Sequence, residues 1–216
     1  SPSRGLGDVY KRQNFTPATE EYAVAVLSYQ EWIRGPLKTS AALRLDGRRV
    51  EPRHTRQSRT AGAISNRDFN GLSGGLSTRY QLNRDLALGV AAMRTFRAPG
   101  VEELFSEGPH LAAYAYEVGN AALDSERGVG LEVSIDYDRP AGHLHLALFR
   151  NDIDGYIFPR NTGQPSLRRA DLLLYRMVGL RALMYGLEAT FDWHIHPDVE
   201  LGGTFGYIPG MLTDLA

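Results

Sequence analysis

From Glu20 onward, apolar and polar residues alternate one for one over long stretches, the period of an extended chain whose two faces meet different surroundings. Leu37, Thr39, Ala41, Leu43 and Leu45 alternate with Lys38, Ser40, Ala42, Arg44 and Asp46. Leu72, Gly74, Leu76, Thr78 and Tyr80 alternate with Ser73, Gly75, Ser77 and Arg79. The same holds for Val129, Leu131, Val133, Ile135 and Tyr137, and again for Leu183, Tyr185, Leu187, Ala189, Phe191 and Trp193. No apolar stripe at helical spacing runs for a comparable length. The pattern predicts an all-β chain.

Strands are predicted near residues 19–33, 37–49, 67–82, 86–97, 128–139, 143–157, 173–196 and 199–208. Arg34-Gly35-Pro36, Asn83-Arg84-Asp85, Pro140-Ala141-Gly142 and Pro197-Asp198 read as tight turns. Between these turns come long polar segments around 50–66, 98–127 and 158–172. Short and long connections therefore alternate along the chain. A transmembrane barrel has this asymmetry, with tight turns on one side of the membrane and long loops on the other.

Alternation alone leaves open which face meets which solvent, because a soluble sandwich hides the same apolar side and wets the same charges. Three features favour a membrane. The predicted strands exceed the roughly five or six residues usual in soluble sheets, whereas a tilted membrane strand needs about nine or more. The loop asymmetry is the second. Third, Trp32, Tyr80, Tyr137 and Trp193 each fall just before a short turn, where four descending strands would set half of an aromatic girdle. Bulky charges on the polar face (Arg44, Arg48, Arg79, Glu132 and Glu188) suit a wide, wet lumen rather than a closed eight-stranded barrel. The expected architecture is part of an antiparallel up-and-down transmembrane β-barrel, about eight strands of a larger one.

Composition narrows the chemistry. The 216 residues carry 24 basic and 25 acidic side chains, a formal net charge of −1, with no Lys/Arg-rich run of the kind that tracks phosphates along nucleic acid. With no cysteine, disulfide frameworks and thiolate metal sites are excluded. No run of about 18 apolar residues occurs. Asp8-Val9-Tyr10-Lys11-Arg12-Gln13 looks like the translation of a transposon-type sequencing adaptor. Residues 1–13 are therefore expected to be an assembly scar, residues 14–216 a partial barrel domain, with further gene sequence upstream and past Ala216.

One segment carries a specific signature. Phe96-Arg97-Ala98-Pro99 is followed by Glu102-Glu103-Leu104-Phe105, Gly108-Pro109-His110, Tyr116-Glu117-Val118-Gly119-Asn120, Leu123 and Glu126. Pro99 cannot donate to a ladder and ends a strand. Val101 to Phe105 suits a short helical turn that packs Leu104 and Phe105 over a barrel rim, and Gly119-Asn120 is a turn dipeptide. The segment resembles the signature loop of TonB-dependent receptors, most closely those for zinc and iron carriers. On that resemblance Arg97, Pro99, Glu103, Leu104, Phe105, Gly119, Asn120 and Glu126 are the family residues. Asp124-Ser125-Glu126-Arg127 departs from it, since family members often have Pro or Lys before the Glu. The resemblance implies a 22-stranded barrel in the bacterial outer membrane around an N-terminal plug domain with a short TonB-contact segment. It implies energy-coupled uptake of a metal ion or chelate, with zinc, a siderophore or haem as ligand. A passive porin-like or adhesive barrel is the competing expectation.

Histidines supply candidate sites. His143 and His145 open one strand while His194 and His196 end its neighbour, all on the polar face, so that the four can converge on a transition metal or serve as lumen residues touching a plug. His110, with Glu107 and Glu117, can capture a metal or chelate in the long loop, or can simply be solvated. No nucleophile-base-orienter set is found, so no catalytic residue is assigned, and no bound cofactor is expected beyond the transported species. Gly71 to Gly75 lies inside a strand pattern and reads as close strand packing.

Overall fold

The computed structural model describes residues 15–58 and 60–213; the expectation for residues 1–13 lies outside the described residues. In chain order come β1 (Thr19–Arg34), β2 (Leu37–Pro52), a small hairpin of β3 (Arg56–Ser58) and β4 (Gly62–Ile64), then β5 (Arg67–Gln81) and β6 (Leu86–Arg97). The long connection that follows holds helix α1 (Val101–Phe105), β7 (Glu107–His110) and β8 (Ala115–Val118). After it come β9 (Glu126–Arg139), β10 (Gly142–Pro165), β11 (Leu173–His196), β12 (Val199–Tyr207) and β13 (Gly210–Thr213). The long strands form one antiparallel meander, β1-β2-β5-β6-β9-β10-β11, with β12 and β13 continuing along β11. The sheet is a sector of barrel wall: among the described residues β1 pairs with β2 alone, leaving one side open.

Turn chemistry sets the register. Gly35 takes φ +56° between β1 and β2, a conformation that costs glycine little. Asn83 Oδ1 accepts from the amides of Asp85 (2.9 Å) and Leu86 (3.0 Å), closing the turn between β5 and β6. With register fixed, each face is a set of rows. Thr39, Thr78, Val90, Val133, Leu148, Leu187 and Tyr207 stand opposite one another in sequence across seven strands. The adjacent row on the other face runs Lys38, Arg79, Gly89, Ser134, Ala147, Glu188 and Gly206. At this level the first row is apolar but for its two threonines; the second alternates charges with small residues.

Neither face is covered at this level. Val90, Val133 and Leu148 are 58%, 53% and 57% exposed, although they form a continuous apolar surface. A soluble protein does not leave such an area in water. The buried residues here are small, Ala87, Ala147 and Ala182, and the large ones gather at the long-loop end. The exposed apolar face is therefore the surface that meets lipid, and the charged face is the lumen side.

All four aromatics of the expected girdle lie on the apolar face near the short turns. Trp32 stands opposite Thr39, Tyr80 opposite Leu37, Tyr137 opposite Leu144 and Trp193 opposite Gly142. The Trp193 indole lies over Gly142, where a Cβ would come within 2.7 Å of it, and stacks on Tyr137 with centroids 6.4 Å apart and planes 17° apart. Glycine at this turn is required by the close approach.

All three expected long loops contain strand, β7 and β8 lying in segment 98–127. β10 runs to Pro165 rather than to 157, so the loop before β11 is only 166–172, and segment 50–66 folds its middle into the β3–β4 hairpin. At about 3.3 Å per residue the 24 residues of β10 span about 80 Å, far more than a tilted strand needs to cross an apolar band of about 25 Å. The outer part of the strand stands in water on both faces, which erases the alternation that reveals strands elsewhere.

Leu76 and Ser77 are neighbours on β5 that point to opposite sides, Leu76 among the exposed apolar residues and Ser77 beside Ala91 and Ser40 on the lumen face. In the complete barrel, Leu76→Arg is expected to lower bilayer folding stability by about 2–4 kcal/mol and Ser77→Arg by less than about 1. Denaturant titration in lipid vesicles measures both, and equal losses would mean that the lipid face has been assigned wrongly.

Candidate functional site at the barrel mouth

The signature segment is the best-packed part of the molecule. β6 ends at Arg97, just before Pro99, and α1 places Leu104 and Phe105 at 0% exposure. They join Val50, Ile64, Phe69, Ala98, Ala121, Leu123 and Ile157 in one core, drawn from β2, β4, β5, β10 and the loop itself. At about 2 kcal/mol for burying each large apolar side chain, this cluster supplies the stability that the bare mid-sheet lacks.

Arg97 ties the loop to the wall. Its guanidinium donates to Glu103 (2.9 and 3.0 Å) and to Glu126 (two bonds of 2.6 Å), joining α1 to the start of β9. Both carboxylates have further work. Glu103 Oε2 accepts the Gly100 amide at 2.7 Å, and Glu126 Oε1 accepts the Ile157 amide of β10 at 2.7 Å. The Gly119 amide donates to Ser106 O (2.8 Å) and the Asn120 amide to Glu103 O (2.9 Å). Gly119 is required by space: a Cβ there would lie 2.7 Å from the Leu104 carbonyl and the Phe105 nitrogen.

The loop also seals a split in the wall. β5 and β6 pair only as far as Gly74 opposite Arg94, so the outer half of β5 is joined to β2 alone. Arg67 spans the split, donating to the carbonyls of Ala121 and of Leu123 (2.8 Å), and the Phe96 ring fills the space where a Cβ on Gly71 would sit. Farther on, β8 adds in parallel to the outer end of β11, Leu173 opposite Ala115, while Ala61 of the β3–β4 turn packs with Tyr116, Val118 and Leu172. Loops from both sides thus meet across the mouth. In the loop before β11, Arg169 forks onto Asp171 (2.9 and 2.8 Å) and holds its carboxyl below the usual carboxylate range. Beside the Arg67 bridge lies a polar cleft of about 600 Å³, lined by Arg67, Asp68, Asn70, Asn120, Asp124 and Asp154 among others.

The histidines are distributed differently from the sequence expectation. His143 Nδ1 is 2.5 Å from Asp138 Oδ1, and His145 Nδ1 is 2.7 Å from Asp136 Oδ1, a carboxylate shared with Arg79. His194 instead approaches Glu200 (3.9 Å) and His196 approaches Asp198 (3.8 Å). Among the described residues no three His, Asp or Glu groups sit together so as to hold a metal ion, so the four-histidine site is not assembled. The reason is register: β9 offers carboxylates on the lumen face opposite His143 and His145, which turn toward it, while His194 and His196 face the β12 side. Counting outward from the Arg139–Gly142 pair already sets Asp138 opposite His143 and Asp136 opposite His145, a signal present in the sequence.

In the outer loop, His110 and Glu117 do meet, with Nδ1 2.8 Å from Oε1. Glu107 is engaged elsewhere, 3.0 Å from Arg168 and 3.9 Å from Arg56, with Ser58 donating to it at 3.3 Å. The expected trio is a pair plus a separate ionic knot that fastens β7 to the two neighbouring loops.

A sector of antiparallel wall with a lipid-facing side, a charged lumen side and long loops folded over one end defines an outer-membrane β-barrel. A family model described as TonB dependent receptor-like, beta-barrel matches residues 2–214, and the chain belongs to that family. Its proteins are bacterial outer-membrane proteins. Solved structures with the same fold include the copper transporter OprC, 17% identical with a TM-score of 0.70 over 89% of this chain and 30% of that one. The ferric yersiniabactin uptake receptor FyuA from Yersinia pestis is 13% identical, with a TM-score of 0.65 over 90% of this chain and 28% of that one. The Serratia marcescens hemophore receptor HasR, in complex with its hemophore HasA and heme, is 17% identical, with a TM-score of 0.69 over 90% and 35%. The chain spans about a third of these receptors.

Removing Arg97 strands two carboxylates, and adding a methyl at Gly119 pushes it into backbone. Arg97→Met and Gly119→Ala in the full-length receptor are each expected to lower the local opening free energy of the loop by about 1–3 kcal/mol. Hydrogen exchange at the Asn120 and Ile157 amides reads this, and unchanged protection in both variants would remove the clamp from the account.

Proposed function

We propose that this chain supplies barrel wall and mouth loops to a TonB-dependent importer that takes up a metal ion or metal chelate: zinc, siderophore-bound iron or haem. The observation that carries the proposal is the ordered loop folded over a wide charged lumen and held by Arg97, Glu103 and Glu126. A passive pore gains nothing from so much structure at its mouth, whereas a receptor needs a rigid rim on which to present ligand contacts. The structural neighbours described above, a copper transporter, a ferric yersiniabactin uptake receptor and a hemophore receptor in complex with heme, support a metal-bearing cargo. In the proposed scheme ligand is captured by the outer loops. A plug domain elsewhere in the full protein, in contact with TonB, then couples release to the inner-membrane proton gradient.

The lumen network has a place in that scheme. Asp136, held between Arg79 (3.1 Å) and His145 (2.7 Å), and Asp138 beside His143 present a polar, ionic wall where a plug would slide. Such groups stay satisfied whether the lumen holds water or protein.

Cells that express the complete receptor are expected to accumulate radiolabelled zinc, an iron-loaded siderophore or haem, and to lose that accumulation when a protonophore collapses the gradient. Accumulation that survives the protonophore, or none with any of the three cargoes, would overturn the proposal in favour of a passive or adhesive barrel.

A further inference from the structure

Just past the lipid-facing apolar residues, on the same outward face, stand four arginines: Arg94 on β6, Arg127 on β9, Arg150 on β10 and Arg181 on β11. Only Arg150 is neutralised, by a fork onto Asp152 at 2.9 and 3.2 Å. Arg127 stands opposite Asp154 in the ladder, yet no ion pair joins Arg94, Arg127 or Arg181 to a carboxylate among the described residues. All three are exposed. Four guanidinium groups thus face two carboxylates, Asp152 and Asp154; Arg181 lies within the field of Asp152, and among the described residues Arg94, Arg127 and Arg181 have no hydrogen-bonded carboxylate.

These groups share a groove of about 480 Å³ into which Arg94, Arg127 and Arg181 converge, with Asp152 and Asp154 also on its wall. Val129, Leu183 and Met211 supply an apolar part of the lining. Along β9 that apolar part continues without a break into Leu131 and Val133 of the lipid-facing row. A ligand lying in the groove therefore meets hydrocarbon at one end and unpaired guanidinium at the other.

We propose that this groove binds the phosphorylated headgroup of an anionic lipid in the adjoining leaflet, with the acyl chains laid on the Val129–Val133 ridge. Arginine suits the task, because its planar fork matches phosphate oxygens in a bidentate way and it is weakly hydrated. The position at the border between apolar wall and water is where such headgroups lie, and basic side chains there attract anionic lipid. The groove opens outward, away from the lumen, so a cargo passing through the barrel does not reach it. The site is independent of which cargo the receptor carries.

The test uses the full-length receptor in neutral detergent micelles, with native mass spectrometry reading retained lipid. Phosphatidic acid is expected to remain bound, while phosphatidylcholine and inorganic phosphate alone are not. Arg94→Gln, Arg127→Gln and Arg181→Gln together are expected to weaken phosphatidic acid retention about a hundredfold, from roughly fivefold for each arginine near a membrane surface. Heat-shifted gel migration reports whether the triple variant folds, and Arg127→Gln alone, expected to weaken retention about fivefold, serves if it does not. Retention unchanged by either variant, equal retention of phosphatidylcholine, or equal binding of inorganic phosphate without acyl chains would each overturn the proposal.

Discussion

A backbone in hydrocarbon has no water to bond, so every N–H and C=O at membrane depth must find its partner within the sheet. The rest of the structure follows from that constraint. It requires long, unbroken ladders such as the pairing of Gly142 through Ile153 with both β9 and β11. It requires that turns and irregular backbone lie outside the apolar band. It also makes the β1 edge, paired on one side only among the described residues, a surface that needs a strand beside it in the assembled barrel.

The molecule is built for two solvents, and its packing changes accordingly. At membrane level it holds no apolar core of its own, because its leucines and valines rest against lipid and its charges against lumen water. At the mouth, where both faces are wet, a small conventional core forms around Leu104 and Phe105. Stability there comes from burial and from the Arg97 fork, whereas in the membrane it comes from the ladder and the lipid contact. This division explains why the wall can splay between β5 and β6 beyond Gly74 and Arg94. Past the apolar band, water and the signature loop can satisfy the groups that the splay releases.

The same border places chemistry on both sides of the wall. Inward, acidic and basic groups pair across strands, as Asp136 does with Arg79 and His145. Outward, beyond the apolar rows, Arg150 pairs with Asp152, while Arg94, Arg127 and Arg181 make no ion pair among the described residues. Residues on one strand therefore face the lumen side or the lipid side by parity, and apolar or wet surroundings by height.

Eight strands, their turns, the outward face, the aromatic ring and the helix at Val101–Phe105 were all legible in the sequence. Alternation appears wherever two faces meet different solvents, and Gly, Pro and Asn mark where chains reverse. Less legible were the extension of β10 to Pro165, the β3–β4 hairpin and the parallel pairing of β8 with β11. Where water lies on both sides, side-chain polarity no longer records direction, and pairing between distant segments leaves no local trace. The histidines show the same divide. Residue type announced possible ligands, but the strand register and the choice of rotamer gave each imidazole its own carboxylate. Sequence by itself determined a two-faced sheet, because a period-two pattern is the imprint of two different surroundings, and strand length, loop asymmetry and aromatic placement turned its apolar face to the membrane. Only the tertiary structure decided what closes the mouth and which charges remain unpaired, because those depend on distances between residues that the chain brings together from far apart.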